Sequence, residues 1–102
     1  MFIISGTMKF DPARRADVAE ACAKAAAAAQ SDEGCLAYSF SEDVNEPGAF
    51  RIFEHWESEE AFATHCQAPH YLSFMEFVGQ VGMTGADVNR YEVSSHQSLT
   101  GG

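Results

Sequence analysis

Residues 50–77 read FRIFEHWESEEAFATHCQAPHYLSFMEF, and the pattern of this stretch decides the fold. From Phe50 to Glu57 the side chains alternate. Phe50, Ile52, Glu54 and Trp56 share one face, and Arg51, Phe53, His55 and Glu57 share the other. A period of two marks a strand with two distinct faces. Ser58 ends it. A serine followed by Glu59 and Glu60 is a helix start, because its hydroxyl accepts from an otherwise unpaired backbone N–H and the carboxylates sit at the positive end of the helix dipole. The spacing predicts a helix to about Gln67. Pro69 is tolerated in a first helical turn and predicts another helix to about Val81. This succession brings Trp56, His65 and His70 within reach of one apolar space. Aromatic walls with one or two titratable groups suit a small pocket for a flat organic molecule.

Working outward toward the N-terminus, Asp43–Gly48 contains Asn45, Pro47 and Gly48 and reads as a hairpin turn. The strand before it is Cys35–Glu42, with Leu36, Tyr38 and Phe40 on one face. Residues 2–9 alternate as a first strand, Phe2, Ile4, Gly6 and Met8 against Ile3, Ser5, Thr7 and Lys9. Asp11-Pro12 opens a helix that runs to about Gln30, with Val18, Cys22, Ala25 and Ala29 as its inner stripe. The segment Ser31-Asp32-Glu33-Gly34 breaks that helix. Toward the C-terminus, Met83–Ala86 is a loop and Asp87 to about His96 a fourth strand. One domain over residues 1–97 is expected, with residues 98–102 as a flexible tail.

The order β-α-β-β-α-β is the ferredoxin-like α+β arrangement, in which helices cover one face of an antiparallel sheet. Yet the strands carry apolar residues on both faces, Ile52 against Phe53, Phe2 against Ile3, Val88 against Tyr91. An uncovered apolar face calls for a partner, and the simplest is the same face of a second copy. The expectation is a homodimer whose two sheets pack as a barrel-like sandwich.

Composition narrows the function. With 102 residues, 46% of them hydrophobic, the chain suits a single globular domain. Six basic against fifteen acidic side chains give a net charge of −9. Phosphate backbones and anionic membrane surfaces would be repelled, so neither nucleic acid nor membrane is an expected partner. Three cysteines without C-x-x-C spacing point to a reducing cytoplasm and not to a disulfide scaffold. The N-terminal MFIISGTMKF lacks the basic start and the long apolar run of a signal peptide.

Glu33-Gly34-Cys35 with Tyr38, then Glu54-His55-Trp56-Glu57-Ser58, Ala61-Phe62, His65 and Pro69-His70, resemble the antibiotic biosynthesis monooxygenase family. The likeness is to its small quinol-monooxygenase branch and spans roughly residues 1 to 95. The motif E-x-W-x-S followed by H-x-x-x-P-H is fairly specific for this superfamily and far less so for one reaction. The resemblance implies a dimeric α/β barrel. It also implies oxidation of electron-rich aromatics, such as quinols, by dioxygen without metal, haem or flavin. A deprotonated phenol or quinol is a strong one-electron donor, so the protein need supply only a dry aromatic cavity, a proton acceptor and donors for the developing oxyanion.

Within that resemblance His65 and His70 match the two histidines of the branch and are the candidate bases, a role that suits the imidazole side chain. Trp56 matches the family tryptophan. With Tyr38, Phe62 and Phe74 it is a candidate to line the cavity, although aromatics at such positions are commonly plain core. Glu54, on the Trp56 face, would orient a histidine or pair with Arg51, Arg90 or a backbone group. His55 faces away and is expected at the dimer interface. The spacing of His65 and His70, with a proline between, is not the i, i+4 pair of one helix face, and the sequence offers no third ligand, so no metal is expected. The asparagine and tyrosine of the family's anthrone oxygenases are replaced by Ile52 and Phe62. Strand one offers Ser5, Gly6 and Thr7 in place of the asparagine of haem-degrading relatives, and Phe74 and Met75 stand in place of their histidine. The leading reading is therefore a cofactor-independent quinol or phenol monooxygenase. A non-catalytic binding module for a hydrophobic aromatic metabolite, or an isomerase or lyase, are the alternatives.

Overall fold

The computed structural model describes residues 1–101; Gly102, the last residue of the expected tail, lies outside them. The elements in chain order are β1 (Phe2–Lys9), a 3-10 turn (Pro12–Arg14), α1 (Arg15–Ala29), β2 (Cys35–Glu42), β3 (Ala49–Trp56), α2 (Glu59–His65), α3 (Pro69–Val81) and β4 (Gly85–Glu92). The four strands form one open antiparallel sheet in the order β2-β3-β1-β4. This is the ferredoxin-like order expected from the sequence. The sheet does not close within the chain.

Two core clusters lie between the sheet and the helices. One joins Phe10, Val18, Cys22, Ala25, Phe50, Phe74 and Val78, and the other Phe2, Ala29, Tyr38 and Trp56. The stripe Val18, Cys22, Ala25 and Ala29 is the buried face of α1, as its helical spacing predicts. The Asp11 side chain accepts from Ala13 N–H, and Pro12 follows it. Arg90 of β4 lies 3.7 Å from the Phe2 ring centre and grips Glu59 through both carboxylate oxygens, at 2.6 and 2.8 Å. That grip ties the edge strand to the start of α2.

Several details differ from expectation: α1 starts at Arg15 after a separate 3-10 turn at Pro12–Arg14, and β4 starts at Gly85, inside the expected loop, because Gly85 already pairs with Lys9. β4 ends at Glu92 and not at about His96, because Glu92 already pairs with Phe2, the first residue of β1. Val93 N–H donating to Met1 C=O continues the contact one step further. β3 starts at Ala49 and ends at Trp56, since Glu57 N–H turns aside to Gly34 C=O at 2.9 Å. Leu36 does not share the inner face with Tyr38 and Phe40. A bulge between Cys35 and Ala37 adds one residue against β3, so Cys35 packs inward and Leu36 is half exposed.

The face away from the helices carries Ile3, Phe53 and Tyr91, the last two exposed. His55 lies on this face too. Its ring meets that of His96 edge-on at 6.2 Å, and its Nε2 is buried without a hydrogen-bond partner.

Candidate active site

The site is assembled by strand pairing. β2 and β3 run antiparallel, so the start of β2 lies beside the end of β3, and Cys35 faces Trp56. The turn before β2 therefore sits against the connection from β3 to α2. Gly34 makes this approach close. Its φ is +81°, and a Cβ built there would fall 2.4 Å from the Cβ of Ala61 in α2. Ser58 caps α2, its Oγ accepting from Ala61 N–H at 3.1 Å. α2 delivers His65 in its last turn, and Pro69 opens α3 with His70 beside it.

These three pieces meet at Asp32. Its Oδ2 lies 2.7 Å from His65 Nδ1 and 2.9 Å from His70 Nε2. A carboxylate only accepts, so both ring N–H groups donate to one oxygen. In a neutral imidazole that arrangement leaves the lone pair on His65 Nε2 and on His70 Nδ1. The His65 side chain is 1% exposed, those of Asp32 and His70 22% and 26%, so the trio reaches from the core to a partly open rim.

Aromatic rings box in His65. Trp56 lies 4.7 Å away, Tyr71 5.1 Å, Tyr38 5.4 Å and Phe62 6.3 Å between ring centres. His65 Nε2 is buried among them with no hydrogen-bond partner. Behind the box, Trp56 Nε1–H donates to Glu54 Oε1 at 2.8 Å. Burial drives the Glu54 carboxyl up and the indole N–H draws it partway back, which leaves it at about 7. Burial also raises the Tyr38 hydroxyl, helped by the Glu54 charge, and lifts the Cys22 thiol to about 12. Cys35 and Cys66 are raised too, chiefly by burial, so none of the three thiols is activated as a nucleophile.

A groove of about 470 Å³ runs between α1 and α3, lined among others by Ala21, Ala25 and Ala28 from one helix and His70, Phe74 and Phe77 from the other. Of the expected site residues, His70 and Phe74 line it. Trp56, Tyr38 and Phe62 surround His65, and Glu54 holds Trp56. The structure thus brings His65 and His70 together and places the tryptophan behind them. Sequence reasoning missed Asp32, which looked like part of a helix-breaking turn. The signal was topological: a β2–β3 hairpin must put that turn beside α2. Asp32, His65 and His70 also offer one donor atom each, all within 4.8 Å of one another, so the fold brings a third candidate donor beside the two histidines.

The model of the antibiotic biosynthesis monooxygenase family matches residues 1–76. The uncharacterized protein sll1783 of Synechocystis is 27% identical over 97 residues, which are 95% of this chain and 66% of that protein. The chain therefore spans just under two thirds of this curated relative. A Deinococcus radiodurans protein, provisionally designated an antibiotic biosynthesis monooxygenase, superposes with a TM-score of 0.88 at 29% identity, over 99% of this chain and 100% of its own. Rv0793 of Mycobacterium tuberculosis superposes at 0.84 with 21% identity, over 95% and 98% of the two chains, and shares the fold. With a family match over residues 1–76, about three quarters of its length, the chain belongs to the antibiotic biosynthesis monooxygenase family.

Proposed function

We propose that the protein is a cofactor-independent monooxygenase that oxidises a small quinol or related phenol with dioxygen. One observation carries this reading: His70 lines the apolar groove beside Phe74 and is held by the carboxylate that also holds His65. A flat ring lying on Phe74 and Phe77 would present its hydroxyl to this pair. Asp32 fixes both tautomers and stabilises the imidazolium that forms when a ring nitrogen takes the phenol proton. The phenolate then gives an electron to dioxygen. One oxygen atom ends in the ring and the other leaves as water, the quinol supplying all the electrons as it becomes a hydroxyquinone.

The working unit in this reading is a cytoplasmic homodimer of single domains spanning residues 1–97. Support comes from the free thiols of Cys22, Cys35 and Cys66 and from the apolar open sheet face. Members of the family are commonly dimeric. No helix among the described residues is long and apolar enough to cross a membrane.

The test is oxygen uptake by metal-free, flavin-free protein with a panel of quinols and phenols. Hydroxyquinone should form, and replacing both His65 and His70 by alanine should slow the reaction at least a hundredfold. An unchanged rate in that variant rejects the mechanism. The depth of His65 and Trp56 favours a second reading, in which the groove only holds an aromatic metabolite. Ligands that raise the melting temperature without oxygen uptake would select it. Turnover that survives without oxygen would select an isomerase or lyase.

A further inference from the structure

We infer that Asp32, His65 and His70 form a binding site for one divalent transition-metal ion, zinc-like in its preference for imidazole nitrogen, and that the ion switches the histidine pair off. Their donor atoms, Oδ2, Nδ1 and Nε2, converge from the α1–β2 turn, the end of α2 and the first turn of α3. Two imidazoles and a carboxylate suit zinc, cobalt or nickel and not magnesium or calcium. Three protein ligands leave a fourth position for water or an anion, the pattern of an open site.

The site is also preorganised. The His65 ring is fixed by Trp56, Tyr38 and Tyr71, while the partly exposed Asp32 and His70 give an ion a way in. Metal–ligand bonds of about 2.0–2.2 Å in a tetrahedron need donors roughly 3.3 Å apart. The present separations, 2.7 and 2.9 Å, are hydrogen-bond lengths. Replacing the shared protons by an ion therefore lengthens the two Asp32–histidine separations by about half an ångström. The net charge of −9 raises the local concentration of cations around the chain.

Chemistry follows from which nitrogen is taken. A metal on His65 Nδ1 leaves the ring proton on Nε2. A metal on His70 Nε2 leaves its proton on Nδ1. Both lone pairs that the trio otherwise holds ready for a proton are lost. Binding by itself stands apart from the oxygenase reading, whereas the loss of activity rests on it.

The experiment titrates chelator-treated full-length protein with zinc and cobalt chlorides by calorimetry. The expected result is one ion per chain, with at least tenfold weaker binding in Asp32→Asn and in His70→Ala and unchanged binding in His96→Ala. In the unaltered protein, the imidazole proton resonances of His65 and His70 should shift with zinc while those of His55 and His96 stay in place. This readout needs no variant to fold. Stoichiometry well below one, undiminished binding in both Asp32→Asn and His70→Ala, or shifts confined to His55 and His96 would overturn the site. In active enzyme one equivalent of zinc should abolish oxygen uptake and chelator should restore it; unchanged uptake with the site filled would overturn the switch, and binding in a protein without oxygenase activity would keep the site and reject the quinol reaction and the switch with it.

Discussion

Glu54 is a carboxyl group held inside the protein by a single indole N–H, and its ionisation governs a measurable property. Burial raises it from an ordinary value near 4.5 to about 7. Below the ordinary value it is protonated in both folded and unfolded chains, and its contribution to stability is whole. As pH rises from about 4.5 to about 7, the unfolded chain releases the proton while the folded one keeps it, and stability falls. Above about 7 the loss is complete, roughly 3 kcal/mol. Cys35, Tyr38, Cys66 and Tyr71 feel the same charge. Glu54→Gln keeps the acceptor for Trp56 and should flatten this slope in urea denaturation series at pH 5 and pH 8. Trp56 is the chain's one tryptophan. Its emission should therefore titrate with a midpoint near 7 in the native protein and not in the variant. A pH-independent signal in both would show that Glu54 does not ionise there.

At this scale the sequence was read well where a residue's role follows from its own neighbours. Glu54 and Trp56 fell on one strand face because alternation puts them there. His65 and His70 stood out because they flank Pro69 at the junction of two helices. Asp32 was unreadable for a physical reason: its partners lie 33 and 38 positions away, and no local period encodes a contact closed only by strand pairing.

Among the elements, α3 spans Pro69–Val81 as its proline start predicts, and the buried stripe of α1 matches its spacing residue for residue. Strand ends were less legible. The end of β4 is set by where β1 begins, and the place of Leu36 by a bulge, and both depend on the neighbouring strand. Gly34 binds these elements into a site. It adopts a φ that L side chains avoid, and a methyl group there would collide with Ala61. Gly34→Ala should cost about 1–3 kcal/mol of stability. The shift of α2 should also loosen Asp32 from His65. Urea denaturation measures the first effect, and the His65 proton resonance the second. A variant as stable as the parent, with that resonance unmoved, would mean the turn gives way without strain.

For the whole molecule, the proposed dimer would be joined through the open sheet face. Phe53 is 39% exposed at the middle of β3, flanked in the sheet by Ser5 and Ser39. In a dimer joined through this face, a carboxylate at that position would be buried against its own copy. Phe53→Glu should then yield a folded monomer, with sedimentation velocity showing half the parent's mass and circular dichroism unchanged. A parent that already sediments as a monomer would remove the dimer from the proposal.

The groove invites one last consequence. Its α1 wall is made partly of the methyl groups of Ala21, Ala25 and Ala28. These side chains neither carry charge nor donate a hydrogen bond, so lengthening Ala21 or Ala28 would shrink the room for a guest without touching Asp32, His65 or His70. In the proposed reaction, capacity and proton handling are thus lodged on separate walls. If the groove takes an aromatic guest as proposed, a lineage built on this scaffold is free to drift from one guest to the next by single-codon steps while Asp32, His65 and His70 stay as they are.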